Sequence, residues 1–159
     1  MADVTIAVIG CGNPARSDDG AGCEIVRLLK RGPLAADSRV RLLDAGTDGL
    51  GVMLAARGAT RLVIVDACRS GSTPGALFEV PGAELATRPV PSLNLHDFRW
   101  EHALYAGRQM YGDAFPSQVT VMLIEAASVD FGIELSPAVA AAAHKAAARI
   151  EQMLVPVCT

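Results

Sequence analysis

Apolar positions along the chain gather in short blocks, separated by turns rich in glycine, proline and aspartate. Residues 4–9 (VTIAVI) are nearly all apolar and run straight into Gly10-Cys11-Gly12, which predicts a first strand ending in a glycine turn. In residues 20–30 (GAGCEIVRLLK), Ile25, Val26, Leu28 and Leu29 fall at helical spacing, and Gly32-Pro33 stops the helix. Residues 40–44 (VRLLD) predict a second strand, and residues 49–57 a short helix closed by Gly58. Residues 61–66 (RLVIVD) are so apolar that both faces of the strand must be covered, as in a parallel sheet. A short strand at 76–80 (ALFEV), a helix at 97–111 and a strand at 118–124 follow. Ser136-Pro137 then gives an N-cap with proline at the first helical position, opening a last helix to about Leu154.

This alternation of strand and helix predicts an α/β three-layer sandwich: a twisted, mostly parallel sheet of about five strands with helices on both faces. At 159 residues, the chain is expected to be one domain spanning 1–159. Apolar residues make up 51% of it, ample for a core. The balance of 14 basic against 17 acidic residues gives a net charge of −3. That offers no basic footprint for nucleic acid or anionic lipid. No apolar run approaches the roughly 20 residues of a membrane helix, and the N-terminus lacks the basic residues of a signal peptide. These features predict a cytoplasmic protein without nucleic-acid or membrane partners. Cys11, Cys23, Cys68 and Cys158 show no CxxC spacing and are expected as small core residues.

Ligands of such folds bind beyond the carboxyl ends of the strands, so the acids at strand ends matter most. The first strand ends in a loop carrying Asp18 and Asp19, the second in Asp44, the third in Asp66 and the 118–124 strand in Glu125. One of Asp18 and Asp19 is expected to cap the first helix. Asp44 and Asp66 could equally serve as turn acceptors, and Glu125 reads as a solvated loop acid. Convergence of several on one rim would instead make a metal or acid–base site. Of the three histidines, His144 reads as surface and His102 as surface or packed. His96, in a loop just before a helix, can reach the rim and would complete a carboxylate–imidazole set suited to nickel, zinc, manganese or iron. Gly10-x-Gly12 with Ala15 also fits the glycine fingerprint for dinucleotides, so a Rossmann-like nucleotide-binding module is an alternative. Asp18 and Asp19 speak against it, since they place negative charge where a phosphate would sit. Gly46 and Gly49 in LDAGTDG permit close approach of an extended peptide, or serve only a strand-to-helix turn.

Taken together, GCGNPARSDDGAG after the first strand, LLDAGTDG after the second, IVDAC after the third, His96-Asp97, and IEAASVDFGIELSP after the late strand resemble the [NiFe]-hydrogenase maturation proteases. The match runs in order from about residue 4 to 154. The resemblance implies an endopeptidase, often classed as aspartic-type, that removes a C-terminal extension from a hydrogenase large-subunit precursor once nickel is inserted. It further implies that Asp19, Asp66 and His96 form a metal-binding trio that senses nickel supplied by the bound precursor, with Asp19 and Asp66 also in the catalytic role. Some relatives carry glutamate where Asp19 stands, so the reach here is one methylene shorter. The segment Phe98-Arg99-Trp100 is bulkier than the family pattern suggests. A free-standing metallohydrolase acting on small amides is the remaining alternative. No Gly-x-Ser-x-Gly elbow is present, so activation of water by a metal or by an aspartate is favoured over a serine nucleophile.

Overall fold

In the computed structural model, which describes residues 5–85 and 99–158, the apolar blocks become strands β1 (Ile6–Cys11), β2 (Val40–Gly46), β3 (Arg61–Cys68), β4 (Leu77–Pro81) and β5 (Gln118–Glu125). Between and after them lie helices α1 (Ala21–Leu29), α2 (Gly49–Ala56), α3 (Trp100–Tyr111) and α4 (Pro137–Cys158). The strands form one sheet in the order β2-β1-β3-β5-β4, parallel except for β4, which pairs antiparallel with β5 at one edge. This is the α/β architecture that the alternating pattern predicts.

Side-chain alternation divides the core into two layers. Ile6 and Val8 of β1, Val63 and Val65 of β3, and Met122 and Ile124 of β5 meet α1 and α4 on one face. Ala7, Ile9, Leu62, Ile64 and Val121 meet α2 and α3 on the other. The alanine-rich stretch of α4 buries Ala142, Ala143, Ala146 and Ala147 against the first layer, a spacing of one helical face. Their small side chains let the helix lie close to its neighbours. Each fully buried leucine or isoleucine, such as Ile64 or Leu62, contributes about 1.5–3 kcal/mol.

Packing of α1 onto the sheet is equally close. A Cβ on Gly22 would stand 2.4 Å from the Cys11 carbonyl oxygen and 2.5 Å from that of Val65, so only glycine lets the start of α1 rest on β1 and β3.

From β1 the chain lays β2 on one side and β3 on the other. The carboxyl ends of β1 and β3 therefore flank a topological switch point, the place where open α/β sheets hold their ligands. Several local expectations need correction here. A 3-10 turn, Ser17–Gly20, precedes α1, which starts at Ala21. Neither aspartate of that turn caps α1, whose N-cap is Gly20 without a side-chain cap. The helix predicted from residue 97 is described from Trp100, and residues 97–98 lie outside the described part. Among the described residues no helix is long and apolar enough to cross a membrane.

Candidate functional site

The loop after β1 turns sharply at Gly12, whose φ of +118° is a glycine conformation. A Cβ there would lie 2.0 Å from the Asp19 carbonyl oxygen, so the loop folds back directly onto Asp19. The Gly12 amide donates to the Gly46 carbonyl at 2.8 Å and ties this loop to the one after β2. Asp19 Oδ2 accepts from the Asn13 amide at 2.8 Å. That amide is one a bound phosphate would need, which counts against the dinucleotide alternative.

Asp66 stands near the end of β3 and is only 2% exposed, not the open rim carboxylate that a strand-end position suggests. Its Oδ2 accepts from Trp100 Nε1 at 2.9 Å and its Oδ1 from the Ala67 amide at 2.8 Å. Arg99 Nη2 lies 3.7 Å from Oδ2. Burial pushes the Asp66 carboxyl up to about 6, and the neighbouring charge of Asp19 adds to the rise. The donors Trp100 and Ala67 and the Arg99 guanidinium pull the other way without cancelling it. Asp19 and Asp66 share a pocket of about 120 Å³ whose walls include Gly12, Thr47, Asp48 and Trp100. The pocket opens beside a wider groove of about 760 Å³ that both aspartates also line.

The remaining rim acids go elsewhere. Asp18 is fully buried and accepts from the amides of Ala127 (2.8 Å), Ser128 (3.2 Å) and Ser136 (2.7 Å) and from the Ser136 hydroxyl (2.9 Å). Burial alone would raise its carboxyl, but these donors hold it below the usual carboxylate range. It staples the first loop to the start of α4, and Ser136, predicted as a cap, turns its hydroxyl to Asp18. Glu125, read as a solvated loop acid, is 3% exposed. It accepts from the Ser70 amide and hydroxyl and the Gly71 amide. With the Ser70 hydroxyl as the strongest influence, these donors hold its carboxyl down to about 2, against the opposing effect of burial. Asp44 is a turn acceptor, taking the Gly46 amide at 3.0 Å and the Cys23 thiol at 3.2 Å.

Cys11 is buried in the core as expected. Cys23 and Cys68 are instead partly exposed thiols that donate to Asp44 and Glu125. Burial, then these carboxylates, push both up to about 12, so they stay protonated. The side chain of Cys158 lies outside the described part. His102 packs at the start of α3, its Nδ1 accepting from the Arg99 amide, and His144 is exposed on α4. His96 lies outside the described residues.

Two members of the predicted trio therefore meet, and the third falls on the segment leading to α3. Among the described residues no group of three His, Cys, Asp or Glu side chains is poised around one ion. Each Asp66 oxygen takes one hydrogen-bond donor and Asp19 Oδ2 takes one, so both carboxylates keep acceptor capacity for a further ligand. Sequence reasoning missed Trp100 and Arg99 as partners of Asp66. The only signal was a bulky aromatic and a cation next to a candidate ligand.

A family model described as hydrogenase maturation protease matches residues 23–153. The hydrogenase expression/formation protein HupD of Thiocapsa roseopersicina is 32% identical over 137 residues, covering 85% of this chain and 61% of that protein. HupD of Rhodobacter capsulatus is likewise 32% identical over 137 residues, covering 85% and 64%. The chain thus spans less than two thirds of the length of these relatives. Among solved structures, the hydrogenase maturating endopeptidase HybD from E. coli superposes with a TM-score of 0.79 at 24% identity, covering 97% of this chain and 94% of that one. It has the same fold.

Proposed function

The chain belongs to the hydrogenase maturation proteases, and on that premise we propose that it is an endopeptidase that removes the C-terminal extension of a [NiFe]-hydrogenase large-subunit precursor after nickel insertion. The observation that carries this reading is the meeting of Asp19 and Asp66 in one pocket at the β1/β3 switch point, one of them desolvated. A peptidase confined to the loaded precursor needs a group whose affinity differs between the metal-bearing and metal-free forms. In this reading Asp19, Asp66 and His96 offer ligands to open positions on the substrate's nickel. His96 stands three residues before Arg99, which lines the same pocket.

The same aspartates serve the cleavage. Burial raises the Asp66 carboxyl and makes it a better proton acceptor than a free carboxylate, which suits a general base acting on water at the scissile carbonyl while it is not bound to the metal. Trp100 aims that carboxylate from the apolar side, and the sheet fixes its backbone.

The test is incubation with nickel-loaded and nickel-free precursor, with tail release read by mass. Release from the loaded form alone is expected. Asp66→Asn should fold and release nothing. Processing by that variant at the wild-type rate would reduce Asp66 to a turn acceptor and remove the trio.

A further inference from the structure

Around the two aspartates the groove carries guanidinium groups from three separate segments: Arg16 after β1, Arg69 after β3 and Arg99 before α3. The backbone under each is held. The Arg16 guanidinium lies 4.6 Å from the centroid of the Phe131 ring. The Phe131 loop is in turn tied to the first loop by Ser17 N–H to the Gly132 carbonyl (2.7 Å) and Gly132 N–H to the Ala15 carbonyl (2.9 Å). Directly after Arg69, the amides of Ser70 and Gly71 donate to Glu125. Arg99 pairs with Asp66 and its amide donates to His102. Among the described residues, neither Arg16 nor Arg69 has an acidic partner.

This distribution of charge selects among ligands. A polyanion such as nucleic acid would meet the carboxylates of Asp19 and Asp66 in the same groove, with Glu101 beside them. A simple cation would leave the arginines unanswered. A peptide that presents a cationic centre to the aspartates and acidic side chains to the arginines satisfies both, and the volume of about 760 Å³ admits several residues. We propose that the groove binds an acidic peptide segment, with Arg16 and Arg69 pairing its carboxylates. Arginine suits this because its planar fork meets a carboxylate in two parallel hydrogen bonds. The assignment of this segment to the precursor, beside the cut, rests on the peptidase reading above.

The test uses the full chain and a rhodamine-labelled peptide with one Lys flanked by Asp and Glu, compared by fluorescence anisotropy with the peptide in which Asn and Gln replace the Asp and Glu. At low salt the acidic peptide should bind roughly tenfold more tightly, about 1.4 kcal/mol. At about 1 M salt, where the screening length is roughly 3 Å, the preference should collapse. The double variant Arg16→Gln, Arg69→Gln should lose the preference with its melting temperature lowered by no more than roughly 2–4 °C, from loss of the Arg16–Phe131 contact. Equal binding of the two peptides, or a preference surviving in the double variant, would overturn the proposal. Displacement by inorganic phosphate at the concentration of the acidic peptide would do so as well, by making the wall a simple anion site. This binding assay reads no cleavage. Failure of the peptidase reading would appear separately, as no tail released from loaded precursor by the wild-type chain.

Discussion

Asp66 and Trp100 show how one side chain sets the state of another. The indole Nε1–H stabilises the ionised carboxylate, while the apolar bulk around it disfavours that charge, and burial wins. Trp100→Phe deletes the donor and, because Trp100 is buried in the core, also removes one ring of the indole and leaves a cavity. It should cost about 2–3 kcal/mol in urea unfolding, a lost hydrogen bond plus the cavity, and slow tail release because the carboxylate is no longer aimed. Unchanged release would show that Trp100 only fills space. For Asp66→Asn two effects oppose. The amide gives up one acceptor but also removes a desolvated charge, so its unfolding free energy should stay within about 1 kcal/mol of wild type. The position of Asp66 was legible in the sequence, because the apolar run before it could only be a central strand with its end at the rim. Its burial was not legible: Trp100 lies 34 positions away and reaches it only after α3 has docked on the sheet.

At the scale of elements, the contact of α1 with the sheet and the loop after β3 each hang on few groups. Gly22→Ala would drive a Cβ into two carbonyl oxygens of β1 and β3. Rigid backbone on both sides leaves α1 no choice but to move, at a cost of about 3 kcal/mol. That corresponds to a melting temperature lower by roughly 6–12 °C, which calorimetry would register. The β3–β4 loop depends on Glu125, whose carboxyl is lowered from 4.5 to about 2 by the Ser70 and Gly71 donors. A lowered carboxyl favours the folded state while ionised. Its contribution is full above about pH 4.5 and is lost as the pH falls towards about 2. Glu125→Gln should therefore flatten the fall in melting temperature over that acid range. An acid limb as steep as that of wild type would assign the loss to other carboxylates. Periodicity revealed the strands and helices themselves, since apolar spacing is a local property. It could not reveal the turn at Ser17–Gly20 or the antiparallel sense of β4, which depend on what packs against them.

At the scale of the whole molecule, the switch point gathers its loops from distant parts of the chain, and something must hold those loops together. Adjacent aspartates divide that work. Asp19 faces the pocket and engages a single amide six residues away, whereas Asp18 faces inward and binds groups 109 to 118 residues away. The sequence offered both as acids of one loop and could not separate them, because the distinction lies in which partner each meets across the fold. The two should separate under mutation. Asp18→Ala strands three backbone amides, those of Ala127, Ser128 and Ser136, in a buried setting. It should cost about 3 kcal/mol or more and depress processing by loosening the loop that carries Asp19. Asp19→Ala should cost less than about 1 kcal/mol, since that side chain is half-buried and its one amide can turn to water. It should nonetheless abolish tail release from nickel-loaded precursor. Chemical denaturation and release assays on the two variants give four values. If Asp19→Ala proved the more destabilising, the carboxylate nearest the pocket would be a structural brace, and the site would have to be built on Asp66 alone.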